Sequence, residues 1–158
     1  MMRSSLLLLA CLTLVLMTAG EADAREPEWS YDTGYDVYAV DISADGEYIT
    51  AGSSDGRVYL FDRDTGTQLW NYTTGSTGVR SVAISADGEY IATGTSEGKV
   101  YLFHKDSSTP LWNYTTGDEV HSASISADGK YIVAGSGTWP DEGHVPYPCR
   151  SAQFPIIT

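Results

Sequence analysis

Cysteine is nearly missing from this chain of 158 residues: Cys11 and Cys149 are the two there are. Once the leader described below is set aside only Cys149 remains, so neither an intrachain disulfide nor a cysteine-based zinc cluster can staple the fold. Basic residues are scarce as well. Nine Lys and Arg face 21 Asp and Glu, a net charge of −12, with no basic cluster, which removes nucleic acid and anionic membrane surfaces as partners. The acidity reads as a solubility feature or an adaptation to high salt. Beyond the leader, no segment repeats its apolar residues every 3.6 positions, so helices are not expected. Leu6 to Met17 is the longest apolar run, short of the roughly 20 residues a membrane-crossing helix needs.

That run follows Met1 to Ser5, which carries Arg3, and precedes Ala22-Asp23-Ala24. A charged start, a short apolar stretch and a small-x-small site together make a cleavable signal peptide over residues 1–24. The expectation is export, with Arg25 to Thr158 as the mature chain and no membrane attachment after cleavage. Leu8-Leu9-Ala10-Cys11 is no lipobox, because apolar residues continue past the cysteine.

What the mature chain has is repetition. Val40 to Gly75 aligns without gaps on Val82 to Gly117, with 25 of 36 positions identical. A third copy starts at Val120 and runs through Ile125 to Ile132 as far as Ser136, while Trp29 to Gly34 matches the end of each unit. The repeats therefore cover about 37–75, 79–117 and 120–136, in a repeat domain spanning 25–136. Within one unit, Ala44-Asp45-Gly46, Ser54-Asp55-Gly56 and Asp64-Thr65-Gly66 are turn signals, since Asp bonds nearby backbone and Gly accepts positive φ. The segments between them, Val37 to Ser43, Glu47 to Ser53, Arg57 to Arg63 and Thr67 to Thr74, carry the residues strands prefer. In the third, Val58 and Leu60 point one way and Tyr59 and Phe61 the other, so both faces of the sheet need cover. Four antiparallel strands in about 40 residues is the period of a β-propeller blade. The fold class is all-β, a partial propeller of about two and a half blades.

The motif Val-x-Ile-Ser-Ala-Asp-Gly-x-Tyr-Ile followed by Gly-x-Val-x-Leu-Phe resembles the WD repeat, with Phe61-Asp62 and Phe103-His104 where that family has Trp-Asp. Asp62-Arg63-Asp64-Thr65-Gly66 leading to Trp70 is similar to the tryptophan-docking signature of quinoprotein-like propellers. That resemblance implies that Trp29, Trp70, Trp112 and Asp62 lock adjacent blades, and their recurrence in the repeat points the same way. It also raises an enzyme reading, a fragment of a dehydrogenase that uses pyrroloquinoline quinone and Ca²⁺. Such chemistry needs a general-base carboxylate and a calcium ligand set, whereas the acidic residues here recur in turns with the repeat. No catalytic, metal or cofactor residue is assigned. His104, His121 and His144 lack metal-ligand spacing. Asn71-Tyr72-Thr73 and Asn113-Tyr114-Thr115 are sequons, placing Asn71 and Asn113 as N-glycosylation candidates at the rim.

After Ser136 the pattern stops. Pro140, Pro146, Pro148 and Pro155 fall in the tail 137–158, and because proline cannot donate to a ladder, an irregular tail is expected. Propellers close with four or more blades, so either copies associate through exposed blade faces or the chain is a truncated copy; the abrupt loss of the repeat favours truncation. The expected role is a non-catalytic binding or scaffold module for a protein or glycan outside the cytoplasm.

Overall fold

Each unit is organised by a turn that two side chains build, a serine and an aspartate. Ser43 Oγ donates to Asp45 Oδ1 at 2.5 Å, the same carboxylate oxygen accepts the Glu47 N–H at 3.0 Å, and Tyr48 N–H donates back to Ser43 Oγ at 3.0 Å. Gly46 completes the turn with φ of +75°, a value L side chains avoid. Ser85 with Asp87 and Ser126 with Asp128 reproduce the arrangement. The sequence thus folds three times into the same hairpin.

The structure, a computed structural model, describes residues 27–75, 78–137 and the backbone of 150–155. The leader 1–24, with its expected cleavage site, and Cys149 and His144 lie outside the described residues. The strands are β1 (Val37–Ile42), β2 (Tyr48–Ser53), β3 (Arg57–Asp62), β4 (Gln68–Thr73), β5 (Val79–Ile84), β6 (Tyr90–Thr95), β7 (Lys99–His104), β8 (Trp112–Thr115), β9 (Val120–Ile125), β10 (Tyr131–Ser136) and β11 (Arg150–Pro155). They form antiparallel sheets in the orders β1-β2-β3-β4, β5-β6-β7-β8 and β9-β10-β11. The four strands expected for the first unit are all present, each within a residue of its expected ends.

Cover on both faces is observed. Val58, Tyr59, Leu60 and Phe61 are all buried on β3, as are Val100 to Phe103 on β7. Most of the core lies in layers between sheets, with a further cluster of Ala51, Tyr59 and Phe61 covered by Trp29 on the first sheet. One layer joins Val58 and Leu60 of the first sheet to Val79, Ile84 and Phe103 of the second; the next joins Ala92 and Leu102 of the second to Val120 and Ile132 of the third. Neighbouring sheets meet through their first strands, β1 against β5 and β5 against β9, while the fourth strands pack mainly on their own sheets. The sheets therefore fan outward from a common inner edge, as blades do.

A specific joint repeats between blades. At Gly52 the backbone comes so close to the next blade that a Cβ placed there would lie 2.4 Å from Val79 Cγ1, and at Gly94 the corresponding distance to Val120 Cγ1 is 2.5 Å. Tyr48 covers Gly88 and Tyr90 covers Gly129 in the same manner. Ala44 N–H donates to the Ala86 carbonyl at 3.0 Å, and Ala86 N–H to that of Ala127 at 3.1 Å.

The expectation of an irregular tail is corrected for Arg150–Pro155. This segment pairs in register along the whole of β10, from Ser136 opposite Arg150 to Tyr131 opposite Pro155. Pro155 is the last residue of a strand at the sheet edge, where the missing N–H is tolerated. The third sheet consequently has three strands where the repeat had supplied two.

Candidate functional site

The residues expected to lock the blades fall into two groups. Trp29 Nε1 donates to the Arg63 carbonyl and Trp70 Nε1 to the Lys105 carbonyl, each at 2.6 Å. Their rings tilt against Phe61 and Phe103, with centroids 5.9 and 5.4 Å apart. Each indole thus clips one segment to the outer hairpin of the blade that follows it. Trp112 packs against the layer between the second and third sheets. All three are half-buried, less enclosed than core aromatics, because their outer edges reach the rim. Asp62 lies in the hairpin that receives Trp29. Its Oδ1 accepts from Thr65 N–H at 2.9 Å and from Thr65 Oγ1 at 2.7 Å, shaping the hairpin of its own blade on which Trp29 rests. These bonds, the hydroxyl's first, hold the Asp62 carboxyl below its usual range. Asn71 and Asn113 stand exposed on the outer strands β4 and β8.

A second constellation lies where the inner strands begin. Tyr38, Arg80 and His121 occupy equivalent repeat positions on β1, β5 and β9, and with Glu119 they line an open cleft of about 390 Å³. The Arg80 guanidinium sits 4.6 Å above the Tyr38 ring centroid, and its Nε donates to Glu119 Oε1 at 2.6 Å. Ring and carboxylate together fix the planar fork in place. His121 Nε2 donates to the Gly137 carbonyl at 2.7 Å. The cleft therefore joins three blades and presents an aromatic face, a cation, an anion and an imidazole.

Sequence reasoning gave His121 no role and passed over Tyr38, Arg80 and Glu119. The signal was present nonetheless. At a position where the repeat keeps its backbone, the side chain changes from Tyr to Arg to His, and only the fan of inner strands shows that these three changes meet. The covering tyrosines Tyr48 and Tyr90 were missed for the opposite reason: identical in every unit, they read as ordinary strand residues.

Among the described residues, no group of three or more His, Cys, Asp or Glu side chains converges as a metal site would require. His104 meets Glu89 at 3.0 Å and Asp106 at 3.5 Å on a hairpin exposed to solvent.

Comparison with known proteins agrees with the architecture. The structure described as "Crystal structure of RRP9 WD40 repeats" superposes with a TM-score of 0.61 at 18% identity, over 66% of this chain and 34% of that one. The chain thus spans about a third of that propeller, and at such identity the likeness concerns the fold. No curated protein sequence matches the chain. The model of a PQQ-like repeat family, described as outer membrane protein assembly factor BamB, matches residues 16–140, which include both four-stranded sheets and the first two strands of the third. The chain belongs to this PQQ-like repeat family, and its likeness to WD40 repeats is one of propeller fold.

Proposed function

We propose that the chain is a non-catalytic binding module, exported by its leader, that holds a polar segment of a protein or glycan partner in the cleft of Tyr38, Arg80, Glu119 and His121. One observation carries this reading: at one equivalent repeat position the side chain changes in every unit, and the three that result, Tyr38, Arg80 and His121, converge on one opening. Packing alone would let the position repeat, as Tyr48 and Tyr90 do. An aromatic face beside a fixed guanidinium and a carboxylate suits the hydrogen-bonding edges of a peptide or sugar. The family model's description as an assembly factor supports a protein partner.

The dehydrogenase reading meets an obstacle in the donor set. Glu119 is the one carboxylate lining the cleft, and Arg80 already engages it, whereas Ca²⁺ takes six to eight oxygen ligands. These residues do not fit a quinone with its calcium ion.

The test is to screen the protein on arrays of peptides and glycans, then repeat the positive spots with Arg80→Ala. Binding should fall at least tenfold, as for a central arginine anchor. Unchanged binding would move the recognition surface elsewhere. Adding pyrroloquinoline quinone with Ca²⁺ should leave the melting temperature unchanged; a clear rise would establish a native-state ligand and overturn the non-catalytic reading.

A further inference from the structure

The two ends of the blade stack expose the opposite halves of the joint that repeats inside it. Within the chain, the first valine of each following blade is sealed against the preceding blade's glycine: Val79 and Val120 are 0% exposed, in contact with the Gly52 and Gly94 positions. Their equivalent in the first blade, Val37, is 47% exposed. The equivalent glycine in the third blade is Gly135, and a Cβ there would meet nothing within 4 Å among the described residues. The tyrosine half behaves alike. Tyr48 and Tyr90 cover Gly88 and Gly129, whereas the third tyrosine, Tyr131, is 52% exposed, and the first turn glycine, Gly46, has nothing within 4 Å. Val37 and Gly46 thus form one half of a joint at one end, Gly135 and Tyr131 the other half at the other end.

Strand number points to the same occupant. The segment Trp29 to Gly34 belongs to no sheet, yet it occupies on the first sheet the place that β4 occupies on the second. Tyr31 lies 5.9 and 4.9 Å from Tyr59 and Phe61, where Tyr72 lies 5.9 and 5.2 Å from Tyr101 and Phe103. It stands where the outer strand of a preceding blade would pack. Among the described residues, the third sheet has three strands, β9, β10 and β11.

We propose that two copies of this chain join head to tail, each seating Tyr131 on Gly46 and Gly135 on Val37 of the other. The segment Trp29 to Gly34 of each copy becomes the fourth strand of the other's third sheet. Ala127 N–H then donates to the Ala44 carbonyl of the second copy, extending the bonds that link Ala44 to Ala86 and Ala86 to Ala127. With three sheets per chain, two copies make a ring of six blades, inside the roughly four to eight that propellers use, whereas three copies exceed it. A closed two-membered ring leaves no blade face uncovered.

Light scattering on the full chain should give the mass of two copies. Gly135→Val fills the open seat without an intrachain collision, so its circular dichroism spectrum should stay unchanged while the mass falls to one copy. Gly94→Val collides with Val120 inside the chain and serves as the contrast, unfolding the protein itself. A monomeric wild type, a larger or open-ended assembly, or a dimeric Gly135→Val would overturn the proposal. Disulfide trapping tests the contact directly, because Val79 Cβ lies 3.1 Å from the Cβ position on Gly52, close to the roughly 3.5–4.5 Å that a disulfide spans. With Cys11→Ser and Cys149→Ser in place, the combination Val37→Cys and Gly135→Cys should form covalent dimers on mild oxidation. Neither single cysteine should do so. Dimers from a single variant would mean face-to-face pairing, and none from the combination would exclude this joint.

Discussion

A serine hydroxyl pointed at an aspartate two residues on recurs in all three units, and it leaves a signature in acid. The Asp128 carboxyl is held down to about 2, first by the Ser126 hydroxyl and then by the Lys130 N–H; Ser43 and the Glu47 N–H hold Asp45, and Ser85 and the Glu89 N–H hold Asp87, below the usual carboxylate range. A carboxyl depressed on folding stabilises the fold above its unfolded value of about 3.9, and that contribution is lost as pH falls toward the folded value. The protein should therefore hold its stability down to about pH 4 and lose it progressively toward pH 2. Ser126→Ala should move the Asp128 titration, followed by carbon NMR of the carboxyl, back toward 4. An unmoved titration would show that the hydroxyl does not control it. The motif was legible as a turn; which atom bonds which was not, since Asp at that spacing could equally have bonded backbone alone.

At the scale of the strand, the outer hairpin is where one blade grips the next. Trp70 contributes both area against Phe103 and an indole bond to the Lys105 carbonyl. Full burial of such a residue would make its loss cost about 3 to 5 kcal/mol. Because Trp70 is half-buried, Trp70→Ala should cost about 2 to 3 kcal/mol in urea unfolding, and Trp70→Phe about 1 kcal/mol for the bond alone. Equal losses from both variants would place all of the effect in the bond and none in the ring. Strand positions in the first unit could be read from Asp-Gly turns and alternation, because those signals are local. β11 could not. The prolines of the tail argued against pairing, and the fact that β11 lies at a sheet edge is decided by the presence of β10 beside it.

For the molecule as a whole, the middle sheet is, among the described residues, the one with a blade on each side. Ile91, Ala92, Val100, Leu102 and Phe103 are fully enclosed there, while Val40 and Ile42 of the first sheet and Val133 of the third face outward. Amide exchange in Gly135→Val, where pairing of copies is blocked, should be slowest in β6 and β7 and faster in β1, β2, β9 and β10, since opening free energy follows burial. Uniform protection across the three sheets would show one cooperative unit that the open faces do not weaken.

The sequence by itself determined the blade. Each hairpin is specified by turn residues and alternating side chains a few positions apart, interactions local enough to be written into every unit, and the doubly apolar Val-Tyr-Leu-Phe strands announced a sheet covered on both faces. Only the tertiary structure decided what lies between blades. Tyr38, Arg80, Glu119 and His121 are dispersed along the chain and become neighbours because the inner strands fan from one edge. The glycine seats for Val79 and Val120 exist because neighbouring sheets approach closely enough for a single methyl group to decide the fit. Such contacts join residues about one repeat apart, where identical sequence cannot say which copy touches which, and so it took the packing of the sheets to assign them.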